Sequence, residues 1–282
     1  MAAPKYRDEY HAWQERGDDY DWDNDEPIEA SHPWRRANDL DGKFIGVELE
    51  LEAGDDESYR VILQQLPPHH EDRDGPAPEA EEDATLDDHS GVEIIFPPIS
   101  HAMLRDKTSY FYRAVDAINR ANVTDNSHKC GMHMNINCNG WPDMKKAIFV
   151  GMIHNMPQAA LEKMGGRKLN DYCEQYRFEE SFKRSIKKYH DEPGDNHDYA
   201  CEHKDGDNRL ECRFPAATTS MTTIARISYF LEFLEDFADE FHASDWINLW
   251  GTHKGMYDAF LNWLQDGDKD AKEIAAFLTA KA

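Results

Sequence analysis

Residues Phe44 to Glu52 read FIGVELELE, a run in which three glutamates fall at i, i+2 and i+4 among apolar and β-branched side chains. In a strand, alternate side chains share a face. Val47, Leu49 and Leu51 then pack inward, and Glu48, Glu50 and Glu52 form a row on the other side. Glutamate is a poor strand former, so propensity does not account for the row. Neighbouring carboxylates in it would lie about 7 Å apart and repel by roughly 2 kcal/mol at an effective dielectric of about 20. Two readings relieve that repulsion. One is the solvated outer face of an edge strand, screened by water and salt. The other is a shelf for a divalent cation, because Mg²⁺ takes hard oxygen ligands and commonly shares them with phosphate.

Outward from this stretch, other segments repeat the same parity. Val92 to Phe96 is expected as a short strand carrying Glu93, stopped by Pro97 and Pro98. Gly131 to Cys138, GMHMNINC, sets Met132, Met134 and Ile136 against His133, Asn135 and Asn137. Arg209 to Phe214, RLECRF, sets Leu210, Cys212 and Phe214 against Glu211 and Arg213. If the four strands form one sheet, Glu48, Glu50, Glu52, Glu93, His133, Asn135, Glu211 and Arg213 share a face, and the apolar parities pack on helices. Taken singly, a strand histidine is an ordinary structural residue and a Glu-x-Arg pair an ordinary cross-strand salt bridge. The coincidence of four segments favours a site.

Helices are expected at about 101–121, 143–164, 168–189, 218–243 and 253–280 from their apolar stripes. In the fourth, Ile224, Ile227, Phe230, Leu231, Leu234 and Phe237 make one side. The third is basic, with Arg177, Lys183, Arg184, Lys187 and Lys188. Residues 1–40 read as an acidic, aromatic-containing extension, and 41–282 as a single domain. The segment PPHHEDRDGPAPEAEEDATLDDHSG has loop chemistry throughout.

The chain of 282 residues has a formal net charge of −25, which disfavours duplex nucleic acid and anionic membranes as partners. A local basic pocket remains compatible with a nucleotide. No apolar run of 18 residues and no apolar leader follow Met1, so neither a membrane span nor a secretory signal is expected, and the expected compartment is the cytoplasm. Five scattered cysteines argue against a disulfide framework and suit small buried thiols. A zinc site can be drawn from Cys130, His133, Cys201 and His203, although no CxxC pair supports it.

Many carboxylates with a histidine and an arginine suit hard cations and a polyphosphate. No GxxxxGK[ST] occurs, so the chain carries no P-loop signature. The ordered segments FIGVELELE, TLDDHSGVEIIFPPI, CGMHMNIN and RLECRF, over about residues 43–215, resemble the motifs of the amidoligase family, a branch of the glutamine synthetase and glutamate–cysteine ligase superfamily. The resemblance implies an α+β fold, a mostly antiparallel curved sheet of the glutamine synthetase-like catalytic type with helices packed on one face. It implies ATP and Mg²⁺, or Mn²⁺, as cofactors. Glu48, Glu50, Glu93 and Glu211 become metal ligands, His133 lies beside metal and nucleotide phosphates, and Arg213 contacts phosphate. Arg184 and Lys187, in the basic run near RSIKKY, become further phosphate contacts.

Two departures stand out. The Asp-x-Ser segment is compressed here to Asp88-His89-Ser90 against Gly91, which leaves the roles of Asp87 and Asp88 open, and Cys212 stands where the family has phenylalanine. The implied reaction is ATP-dependent joining of a carboxylate to an amine through an acyl phosphate, with Glu48, Glu211, Arg213 and His133 catalytic. The implied partners are small-molecule or peptide carboxylates and amines, and the family's frequent occurrence in bacteriophages would place the protein in a host cytoplasm. Two alternatives stay open: another Mg-ATP phosphotransferase or ATPase on the same site, and a non-catalytic acidic binding protein of viral type. Neither substrate identity nor oligomeric state is encoded in these motifs.

Overall fold

The computed structural model describes residues 43–52, 79–82, 86, 91–106, 109–120, 130–138, 140–170, 173–175, 199–204, 209–240 and 253–280. The expected extension at 1–40, Asp87 and Asp88, and the basic run with Arg184 and Lys187 lie outside the described residues. The fold is mixed α+β with an open antiparallel sheet. The chain groups into two compact units that interleave in sequence. The first runs to Asn137 and takes in Gly206–Arg209 and Ala217–Ile224; the second comprises Cys138–Asp205, Leu210–Ala216 and Ala225–Ala282.

The first unit is built on strands β1 (Phe44–Glu52), β2 (Glu79–Glu82), β3 (Gly91–Ser100) and β4 (Met132–Asn137), in the order β2-β3-β1-β4. All three pairings are antiparallel. The stretch that opens the sequence reading is thus a central strand, paired on both sides. Val47, Leu49, Leu51, Val92, Ile94, Met132 and Met134 are fully buried, which fits the apolar parity read from each segment. Phe96, opposite Val47, meets Phe111 with ring centroids 4.7 Å apart, so the helix α2 (Tyr110–Arg120) covers this apolar face.

Two expectations in this unit are corrected. The strand does not stop at Phe96 but continues through Pro97 and Pro98 to Ser100. Between Val47 opposite Phe96 and Ile45 opposite Ile99, β3 advances three residues while β1 advances two. The prolines therefore sit in a bulge, where their missing N–H groups remove nothing from the ladder. The helix expected at 101–121 is instead a short α1 (His101–Arg105) followed by α2. Ser109 restarts it as an N-cap, its Oγ accepting from the Tyr112 N–H at 3.1 Å.

The second unit holds α3 (Asp143–Asn155), α4 (Gln158–Gly165), strand β5 (Cys201–Lys204), and most of β6 (Arg209–Cys212) and of α5 (Met221–Glu240). It also holds α6 (His253–Asp266) and α7 (Lys269–Thr279). The single helix expected at 143–164 is broken at Met156 and Pro157, because proline cannot donate within a helix. Gly166 then ends α4 with φ +77°, its N–H reaching the Glu162 carbonyl at 2.8 Å. In consequence 168–170 and 173–175 are not helical, contrary to the helix expected to begin at 168. Glu174 instead bridges Tyr199 in parallel fashion. The strand expected over 209–214 ends at Cys212. Asp268, accepting from Ala271 N–H at 2.9 Å, splits the helix expected at 253–280 in two. The apolar stripe of α5 is buried as its spacing predicted, and Phe230, Phe237 and Phe260 interlock at edge-on angles. Among the described residues no helix is long and apolar enough to cross a membrane.

Candidate metal centre

The second face of β1 is not a solvated one. Glu48 and Glu50 are each only 9% exposed, and His133 and Asn135 on the adjacent strand are 4% and 8% exposed. A screened row on an edge strand is therefore excluded twice over, by central position and by burial. Glu52, at the strand end, is more open and joins none of the contacts below.

Register explains which groups meet. His133 lies directly opposite Glu48, Asn135 opposite Gly46, and Glu93, on the other side of β1, opposite Glu50. Directly opposed residues on paired strands put their side chains on one face. The carboxylate of Glu48 takes His133 Nδ1 at 3.2 Å on Oε2, and on Oε1 it accepts from Asn135 Nδ2 at 2.8 Å and Arg209 Nη1 at 3.4 Å. The other ring nitrogen, Nε2, lies 3.1 Å from Glu50 Oε1. Glu50 Oε2 accepts from the Gly131 N–H at 2.7 Å, while the Glu50 N–H donates to the Gly131 carbonyl at 3.0 Å. With no side chain at Gly131, the imidazole of His133 can lean diagonally toward Glu50. Gly46 does similar work at the other end of the row, because a Cβ there would come within 3.3 Å of Asn135 Cβ.

One ligand atom each from Glu48, Glu93 and His133 lies within 4.8 Å of the others. Bonds of about 2.1 Å would put ligand atoms roughly 3–4.2 Å apart, so the group needs only a small inward movement of its side chains to close on a divalent ion. Asn135 Oδ1 adds a second sign: it is buried beside Glu48 and has no hydrogen-bond partner among the described residues. A buried carbonyl oxygen of this kind is normally satisfied, and a metal-bound water is a suitable donor. The residues thus fit a cation. Among the described residues Glu48, Glu50 and Glu93 bring three carboxylates to one face of the sheet, and Arg209 reaches Glu48 at 3.4 Å. Carboxylates suit Mg²⁺ and Mn²⁺ alike, and an imidazole in the set shifts preference toward a transition ion such as Mn²⁺.

The sequence matches no protein-family model and no curated protein.

The remaining candidates among the described residues are taken in their own unit. Glu211 and Arg213 belong to the second unit, where Arg213 Nη1 lies 3.5 Å from Glu211 Oε2. The two make an ion pair with each other, and Arg167 donates to the Arg213 carbonyl. The zinc set drawn from sequence is not assembled around His133, which faces two carboxylates, nor around Cys201, whose Sγ lies 3.6 Å from Cys212 Sγ. Burial pushes the Cys201 thiol well up, away from the thiolate a metal needs. None of the five cysteines is in a disulfide, and all five are buried. Arg209 is the residue that sequence reasoning missed. Its signal was present, since Arg209 shares the parity of Glu211 and Arg213 in RLECRF.

Proposed function

We propose that this chain is an ATP-dependent carboxylate–amine ligase whose metal centre is the Glu48, Glu93 and His133 group, on a curved sheet of the glutamine synthetase-like amidoligase type. The observation that carries the reading is the convergence within 4.8 Å of one side chain from each of three adjacent strands, Glu48 and His133 buried and Glu93 partly exposed. An acid row buried in this manner is costly unless something cationic completes it. The motif order FIGVELELE, TLDDHSGVEIIFPPI, CGMHMNIN, RLECRF supports the same reading from the side of sequence.

A Mg²⁺ or Mn²⁺ held by Glu48, Glu93 and His133 would supply charge neutralisation for the phosphates of ATP; in the proposed reaction the substrate carboxylate takes the γ-phosphoryl group with release of ADP, and the amine displaces inorganic phosphate. The protein's own part is positioning. Asn135 and Arg209 hold Glu48 by its Oε1, leaving Oε2 on the side of His133. The apolar face of β1 locks the strand, because slipping by one residue would exchange its buried leucines and valine for the glutamates. Glu211 as a carboxylate ligand, and Arg213, Arg184 and Lys187 as phosphate contacts, belong to the proposal through the motifs.

The test is an ATPase and condensation screen of the full chain with Mg²⁺ or Mn²⁺ against paired carboxylates and amines. ADP release that requires both acceptors, with a product of the condensed mass, is expected, together with its loss in Glu48→Ala. Turnover that ignores the amine would assign an ATPase or phosphotransferase instead. Unaltered turnover in Glu48→Ala, or absence of nucleotide binding by calorimetry, would overturn the reading.

A further inference from the structure

We infer that Glu50 is a positioning residue and not a ligand: it grips the Nε2–H of His133 so that the Nδ1 lone pair is what the ring presents to a cation shared with Glu48 and Glu93. This rests on the metal reading of the site and departs from the motif, which would make both glutamates of the strand ligands. Each oxygen of Glu50 meets a protein donor, Oε2 the Gly131 N–H at 2.7 Å and Oε1 the His133 Nε2 at 3.1 Å. The Gly131 N–H ties Oε2 to the backbone of β4, and Glu50 is not among the residues whose ligand atoms converge. A neutral imidazole has one donor and one acceptor nitrogen. Because the convergent group joins His133 to Glu48 and Glu93 and leaves Glu50 out, the N–H is assigned to Nε2, 3.1 Å from Glu50, and the ligating lone pair to Nδ1, 3.2 Å from Glu48. The group that converges within 4.8 Å contains Glu48, Glu93 and His133. Carboxylates that take the far N–H of a ligating histidine fix its tautomer and ring plane, and losing one weakens metal binding about 10–100-fold.

The experiment uses Mn²⁺ alone as probe on the full chain, with affinity from the free Mn²⁺ resonance and coordination from pulsed electron paramagnetic resonance. Wild-type protein is expected to bind Mn²⁺ with a directly coordinated ¹⁴N that His133→Ala removes. Glu50→Gln is expected to weaken binding about 10–100-fold while leaving the number of metal-bound waters unchanged. Glu93→Gln, by contrast, opens a coordination position and admits about one more water. If Glu50→Gln does not fold, Glu50→Asp, which withdraws the carboxylate, is read in the same way. A gain of water in the Glu50 variant equal to that in Glu93→Gln would overturn the inference. Bound Mn²⁺ without nitrogen coupling in wild type would overturn it too, while sparing the metal centre. Absence of any Mn²⁺ binding would sink both.

Discussion

Replacing Glu93 by glutamine is expected to make the metal-free protein more stable and the metal-loaded protein less so. Glu48 and Glu93 offer oxygens within 4.8 Å of each other, which at an effective dielectric of about 20 corresponds to a repulsion of about 3.5 kcal/mol. Glu50 stands directly opposite Glu93 in the register and adds to it. Glutamine keeps the shape and removes the charge. Part of the gain is returned, because Glu93 has interactions of its own and a lost charge-assisted hydrogen bond costs about 1.5–3 kcal/mol. A net stabilisation of about 1 kcal/mol remains, which for a chain of this length raises the melting temperature by roughly 2–4 °C.

Adding Mn²⁺ reverses the order. A ligand at 100 times its Kd stabilises the form that binds it by about 2.7 kcal/mol, which the wild type gains and Glu93→Gln largely forgoes. The assay is thermal unfolding by circular dichroism with a chelator and again with Mn²⁺, on both proteins. A structural ion cluster would behave in the opposite way, since removing one partner of a buried pair destabilises. A variant that melts below wild type in chelator and shows an equal Mn²⁺ shift would refute the reasoning.

Away from this centre, His154 is buried with Nε2 donating to the Cys201 carbonyl at 2.6 Å, and burial pulls its pKa down to about 4 from 6.5. The unfolded chain takes up that proton first, so the contribution is complete above pH 6.5 and falls as pH drops toward 4, by about 3 kcal/mol in all. Unfolding free energies of wild type and His154→Gln from denaturant titrations across that window should diverge by this amount, and parallel pH profiles would contradict it. Gly165→Ala is expected to cost about 1–3 kcal/mol or more, because a Cβ there would strike the Phe214 carbonyl oxygen, which is backbone and cannot swing aside. An unchanged urea midpoint would show that this packing is looser than described.

Parity carried most of what the sequence could say. A period of two in FIGVELELE and GMHMNINC separates Val47, Leu49, Leu51, Met132 and Met134 from Glu48, Glu50 and His133, and the fold respects that division. Partnership was not legible, because His133 and Glu48 are 85 residues apart and register across such a separation is set by the whole sheet. Helix ends escaped for a local reason: an apolar stripe continues across Ser109, Pro157 and Asp268, where single caps or a missing donor interrupt the backbone. The proline pair at 97 and 98 reads as a stop in sequence because a bulge depends on the partner strand, which local sequence does not contain.

Burial on both faces distinguishes this strand from an ordinary one. A central strand covered on two sides normally reads as a continuous apolar run, since every inward position gains about 1.5–3 kcal/mol from a Val or Leu. Here one face follows that rule with Val47, Leu49 and Leu51 fully buried, and the other gives it up for Glu48 and Glu50 at 9% exposure. The protein then spends Asn135, Arg209, His133 and the Gly131 N–H on holding those two carboxylates in place. Apolar side chains of similar size would serve a purely structural role at least as well. What the polar arrangement supplies, and hydrocarbon cannot, is a set of fixed donor atoms, and that is the feature on which the proposed cation site rests.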